Sequence, residues 1–190
     1  MTGGLDARLA AFTRHRYGVF TRTVARRVGF TEKQIKHRLA IGVWRAMPGE
    51  ALMLAGCPLS FEARLVAATM AVPGAVGSFE SAGRVLRMPV VDPHEPVITV
   101  LRGSNHRLAG IRVRESADLL ARDVVRRWGI DVTSRERTMC DLGRVLSSTD
   151  LRTVYNDQFH RELVTLEGVY GVFYRYARGR PGRRHGPART

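Results

Sequence analysis

Cysteine is nearly absent from this chain of 190 residues: Cys57 and Cys140 are the only two, far apart, with no CxxC pair. No histidine stands at a zinc-ligand spacing from either, which argues against a structural zinc site and leaves two free thiols expected in a reducing compartment. Lysine is as scarce: Lys33 and Lys36 are the only two, and every other basic residue is arginine. Acidic residues are also in short supply, 17 against 31 Lys+Arg, so the net charge is +14 and the pI is near 11.3. Long apolar runs are missing too. The longest, LVAATMAVPGAVG, is too short to span a bilayer and is broken by Pro73-Gly74. The opening MTGGLDARLA places Asp6 and Arg8 where a signal peptide needs apolar residues. A cytoplasmic chain without a membrane span, metal or cofactor is expected.

What is present is ordinary in proportion and unusual in charge. The apolar fraction of 44% and charged fraction of 25% are those of a globular protein, and the length suits one large domain or two small ones. The positive charge is uneven. Residues 1–56 carry ten basic side chains against Asp6, Glu32 and Glu50, a net of +7, whereas residues 57–130 net +3 and residues 131–178 net zero. The last stretch, 179–190, adds four arginines and no acid, has no periodicity, and reads as a flexible basic tail. A field concentrated in the first third calls for a polyanionic partner, nucleic acid before an anionic membrane surface.

Along the first 56 residues, Leu5, Leu9 and Phe12 stand at helical spacing within 5–16, and Tyr17-Gly18 ends that helix before a short extended VFT. Residues 22–28 form a second helix, GFT a turn, and a third helix opens at Thr31, which with Gln34 fits a capping box. Gly42 ends it. VWRAM and EALML then read as two strands joined by Pro48-Gly49. Helix, helix, glycine turn, helix and β-hairpin is the order of a winged helix-turn-helix.

Gly56-Cys57-Pro58 marks a boundary, so a second domain is expected over 57–178. Ser60 caps a helix over FEARLVAATMAV, and Ser78 caps a shorter one through Leu86. Strands follow at 97–101, 110–116 and 123–132, with DPHEP irregular between. Thr133 and Glu136 make a second capping box before a helix carrying Met139, Leu142, Val145 and Leu146, and two more helices run over about 149–163 and 165–177. The fold class expected is α+β.

Within the third helix, Ile35 and Leu39 face inward, while Lys33, Gln34, Lys36 and His37 face outward with Arg38 at the flank. The second helix of a helix-turn-helix enters the major groove, where lysine donates to guanine and glutamine pairs with adenine. Arg22, Arg26 and Arg27 on the preceding helix and Arg45 on the wing strand suit backbone phosphates, and Thr31 at the cap is a further DNA-binding candidate. A basic amphipathic helix can also be a solvated face, and winged helices also bind proteins, so a protein-interaction module is the alternative.

YGVFTRTVARRVGFTEKQIKHRLAIGVWRAMPGEALMLAGCPLSFEARLVAAT resembles the N-terminal region of the AbiEi-type antitoxins of type IV toxin–antitoxin systems. The resemblance continues through ITVLRG, GIRVRES and GIDVTSRERTMCDL, over roughly residues 5–178. It implies a winged-helix DNA-binding domain, an α+β second domain, repression of the chain's own operon at a double-stranded operator, and a nucleotidyltransferase-like toxin as partner. Two departures stand out. Glu50-Ala51 occupies the place of the family's aromatic after Pro-Gly, and many relatives continue past GRPG into a Vsr-like nuclease domain whose metal-binding carboxylates this sequence does not show.

Catalytic patterns are weak. Gly77-Ser78 with Asp92, His94 and Glu95 faintly resembles a nucleotidyltransferase signature, yet that chemistry needs two carboxylates on one strand and Pro93 and Pro96 oppose a strand. His94-Glu95 lacks the second histidine of HExxH. Asp141 lies four residues after Arg137, which predicts a surface ion pair. Trp44 and Trp128 could be stacking platforms for single-stranded nucleic acid, but the apolar neighbours of each favour core anchoring. No enzyme is expected, and a truncated nuclease-family relative without catalytic activity is the second alternative.

Overall fold

The computed structural model describes residues 3–103 and 106–178, so the basic tail from residue 179 lies outside the described residues. The first helix, α1 (Gly3–Thr13), stops short of the expected residue 16. Tyr17 and Gly18 adopt φ of 55° and 78°, and the Arg16 amide donates back to the Thr13 carbonyl, so the chain turns out of the helix there. After β1 (Val19–Thr21) comes α2 (Arg22–Val28), whose end the sequence placed correctly. The Thr21 hydroxyl accepts the Val24 amide at 3.2 Å, and Gly29, at φ 118°, donates to the Ala25 and Arg26 carbonyls. A side chain at that φ would be strained, which is why the tight turn into the next helix uses glycine.

Helix α3 (Glu32–Ala40) starts at a complete capping box on Thr31 and Gln34. Strands β2 (Trp44–Ala46) and β3 (Ala51–Leu54) follow, and the three strands form an antiparallel sheet in the order β1-β3-β2. Side chains alternate across a strand, and here both faces are covered. Phe20, Trp44 and Leu52 pack with Leu9, Ala25, Phe30 and Ile35 under the helices. Val19, Ala51 and Met53 point the other way, into a core shared with α4 (Phe61–Ala71). That double burial explains why ALML is a continuous apolar run.

The second sheet has five strands in the order β6-β5-β4-β8-β7. They are β4 (Val76–Gly77), β5 (Val97–Leu101), β6 (Arg112–Ser116), β7 (Val124–Arg127) and β8 (Ile130–Thr133). β5 runs parallel to β6, β4 parallel to β8, and the β4–β5 and β7–β8 pairs are antiparallel. Three expectations change. The single strand over 123–132 is a hairpin, because Trp128 and Gly129 both take positive φ, 53° and 78°. The strand at 110–116 begins at Arg112, Gly110 lying in the left-handed region. The two-residue β4 was not foreseen, being too short to carry a pattern.

Helices α5 (Phe79–Val85), α6 (Arg135–Leu142), α7 (Ser148–His160) and α8 (Leu166–Arg178) pack around this sheet, and the chain is α+β. Two predicted caps move. Ser78 precedes α5 but makes no capping bond, its Oγ instead accepting the Thr99 hydroxyl at 2.7 Å. The box expected on Thr133 and Glu136 shifts by one residue: Ser134 accepts the Arg137 amide, while Thr133 is buried at the end of β8 against Thr138. Val145 and Leu146 lie beyond α6, in the turn that follows, and pack against the core from there. Among the described residues no helix is long and apolar enough to cross a membrane.

Candidate nucleic-acid interface

Helix α3 is held from below and capped at its start. Ile35 is fully buried and Leu39 half-buried, both against the small core around Trp44. At the cap, the Thr31 hydroxyl accepts the Gln34 amide at 3.3 Å, and the Gln34 Oε1 accepts the Thr31 amide at 2.8 Å. Lys33, Lys36 and His37 are exposed on the opposite side, Arg26 and Arg27 are exposed on α2, and Arg45 is exposed on β2. The three exposed basic side chains of α3 therefore share a face that the core does not use.

The ten residues expected to meet DNA are not equivalent. Glu32, at the first position of α3, takes Arg22 Nη1 at 2.5 Å and Arg26 Nη2 at 2.8 Å. The hydrogen bond from Arg26, with the charges of Arg22 and Lys36, holds the Glu32 carboxyl below its ordinary value despite some desolvation. A phosphate reaching Arg22 or Arg26 must displace that carboxylate. Arg38 is further withdrawn: it pairs with Asp6 at 2.9 Å and lies 4.6 Å above the Phe30 ring, so it braces α3 against α1. Arg45 Nη2 reaches the Ala55 carbonyl at 3.5 Å. Among the described residues Arg27, Lys33 and Lys36 form no ion pair.

Gln34 has a divided role. Its Oε1 closes the capping box, so bidentate pairing with adenine requires that box to open, and only the amide NH2 is free as a donor. Replacing Gln34 with alanine is expected to lower the melting stability of the chain by about 1 kcal/mol, the usual worth of a cap. Thermal denaturation followed by circular dichroism measures it.

A second polar constellation lies in the five-stranded half, and here two sequence expectations are overturned. Arg137 and Asp141 are not a surface pair. They are 2% and 1% exposed. Arg137 sits 3.4 Å from Asp141, 3.6 Å from both Asp118 and Asp123, and donates to the Ser116 hydroxyl at 3.1 Å. Arg175 of α8 pairs with Asp123 at 2.5 Å, and the Tyr176 hydroxyl donates to Asp141. The partners come from residues 116–123 and 175–176, which an i,i+4 spacing cannot reveal. Trp128 is likewise not a core anchor: at the tip of the β7–β8 hairpin it is 60% exposed. Trp44, by contrast, is buried as expected.

Of the other candidates, Asp92 is exposed on an irregular segment and pairs with Arg84, with no strand through Pro93 and Pro96. Cys57 and Cys140 are free thiols, and burial, reinforced by Asp141, pushes the Cys140 thiol up to about 11, so it stays protonated. Among the described residues no three His, Cys, Asp or Glu side chains gather as a metal site. Neither a family model nor a curated protein matches this chain.

Proposed function

We propose that this chain is a sequence-specific double-stranded DNA-binding protein, its first 56 residues a winged helix-turn-helix, acting as a repressor of antitoxin type on its own promoter. The observation that carries the reading is the exposed row Lys33, Lys36 and His37 on a helix fixed by a capping box and a glycine turn. The order α1-β1-α2-α3-β2-β3 and the antiparallel sheet β1-β3-β2 support it, since this arrangement puts a hairpin beside the helix. The concentration of positive charge in the same 56 residues supports it as well. Lys33 and Lys36 are then the base-edge donors, Arg27 and Arg45 the phosphate contacts, and Arg22 and Arg26 conditional ones that exchange Glu32 for phosphate. Arg38 and Thr31 hold the helix in place. A nucleotidyltransferase-like toxin would be a second partner, met by the five-stranded half.

Gel-shift titration with the chain's own upstream DNA tests this. Lys33→Ala is expected to weaken specific binding by roughly 1–3 kcal/mol while leaving random duplex nearly unaffected, whereas Arg27→Ala should weaken both and reduce the salt slope by about one. Equal losses on specific and random DNA for both variants would remove α3 as the reading element.

A further inference from the structure

The β7–β8 hairpin tip holds a large aromatic ring outside the core. Trp128 and Gly129 occupy the two central positions of a two-residue turn with both φ positive, where asparagine-glycine is the favoured pair. A bulky aromatic in the left-handed region is strained, and large apolar rings are normally drawn inward. Trp128 does neither of the economical things: it holds φ 53° and leaves 60% of its surface in solvent. Among the described residues positive φ also occurs at Tyr17, Phe79, Arg87, Val90 and Glu162, but of the three aromatics that adopt it only Trp128 is exposed.

The surroundings are positively charged. The Arg87 guanidinium lies 5.0 Å from the Trp128 ring centroid, and Arg126 and Arg127 precede Trp128 in the strand. The tip is seated on the turn after α1, since a Cβ on Gly129 would come within 2.0 Å of the His15 carbonyl oxygen. Arg16 is therefore a neighbour. Its guanidinium is pushed below the ordinary arginine range by burial first and then by the charge of Arg126, with Asp131 opposing. Arg135 is pushed the same way by burial and then by Arg127 and Arg161. Arg126 is engaged within the hairpin, its Nη1 with Asp131 at 3.3 Å and its Nη2 donating to the Gly129 carbonyl at 3.2 Å, while among the described residues Arg87 and Arg127 form no ion pair. Burial is the larger cause in both, and the neighbouring arginines add to it.

We propose that this tip is a binding site for single-stranded nucleic acid, in which an unpaired base stacks on Trp128 and Arg16, Arg87, Arg126 and Arg127 hold the flanking phosphates. A protruding aromatic ring offers a face to any base, and arginines along the flanks track the backbone. The site is separate from α3, so it would let the chain hold an opened or displaced strand while α3 engages duplex.

Tryptophan fluorescence with acrylamide quenching of the unaltered chain tests it, because Trp44 is buried and Trp128 supplies the quenchable emission. A short oligo-dT strand is expected to protect Trp128. Trp128→Asn, which places the turn's favoured residue there and keeps the hairpin, should weaken binding of labelled oligo-dT about tenfold or more with no loss of melting temperature. Lys33→Ala combined with Lys36→Ala should abolish the operator shift yet leave oligo-dT protection intact, which separates this site from the α3 reading. Protection by duplex or by phosphatidylglycerol vesicles but not by oligo-dT would overturn the inference, as would an unchanged oligo-dT affinity in Trp128→Asn.

Discussion

Asp123→Ala is expected to lower stability by about 3–5 kcal/mol, the cost of removing one member of a buried ion-pair network. Asp123 is nearly inaccessible. Its Oδ1 takes Arg175 Nη2 at 2.5 Å, and its Oδ2 takes Arg175 Nη1 at 3.0 Å and the Leu120 amide at 3.1 Å, with Arg137 Nη1 at 3.6 Å. Alanine strands Arg175 and leaves Arg137 to Asp118 and Asp141 alone. The same carboxylate ties α8 to the segment before β7, so its loss should release the last helix. Urea unfolding measures the effect, and an unchanged midpoint would mean the network adds nothing to stability.

The pH dependence of that network follows from two opposite shifts. Burial pushes the Asp123 carboxyl up, but the hydrogen bonds from Arg175 and Leu120 and the charges of Arg175 and Arg137 outweigh it, so its folded value lies below the ordinary one. Its stabilisation is full above an unfolded value of about 3.9 and is lost as pH falls through the lower folded value. Asp141 goes the other way: burial raises its carboxyl against the pull of Arg137 and Tyr176. It removes stability as pH rises from the unfolded value to the raised one. Asp123→Asn should therefore flatten the acid limb of the urea midpoint plotted against pH. Asp141→Asn should leave that limb in place.

Trp44→Ala carries the second large effect, about 3–5 kcal/mol for truncating a buried large aromatic. Trp44 stands edge-on to Phe20 at 4.9 Å and to Phe30 at 5.0 Å, under the Arg38 guanidinium. Its neighbours come from α1, β1, α2, the glycine turn, α3 and β3, so one cavity would loosen every element that orients α3. Trp44→Phe should be much milder. The indole N–H has no partner in the core, and phenylalanine removes that unmet donor while keeping most of the ring. Guanidinium denaturation of the three proteins, with duplex affinity read beside it, checks both. A Trp44→Ala chain as stable as the parent would show that the α3 platform does not depend on this ring.

Much of the first half was legible because its signals are local. Thr31 and Gln34 sit at the spacing of a capping box, and the box forms. Arg22–Val28 and Val97–Leu101 are helix and strand over the residues that periodicity marked. Less was legible where the deciding partner is distant in sequence. Arg22, Arg26 and Arg38 read as free cations, yet they meet Glu32 and Asp6 across a turn and across thirty-odd residues.

The sequence by itself determined the excess of positive charge and its place in the first third, the alternation of helix and strand, and which face of α3 is apolar. These depend on composition and on side-chain spacing within a few residues. Only the tertiary structure decided that Arg137 and Asp141 lie buried and that Trp128 stands in solvent. Burial is a property of what arrives from elsewhere in the chain. Residues 116–123 and α8 arrive over Arg137, while a two-residue turn carries Trp128 out past the sheet.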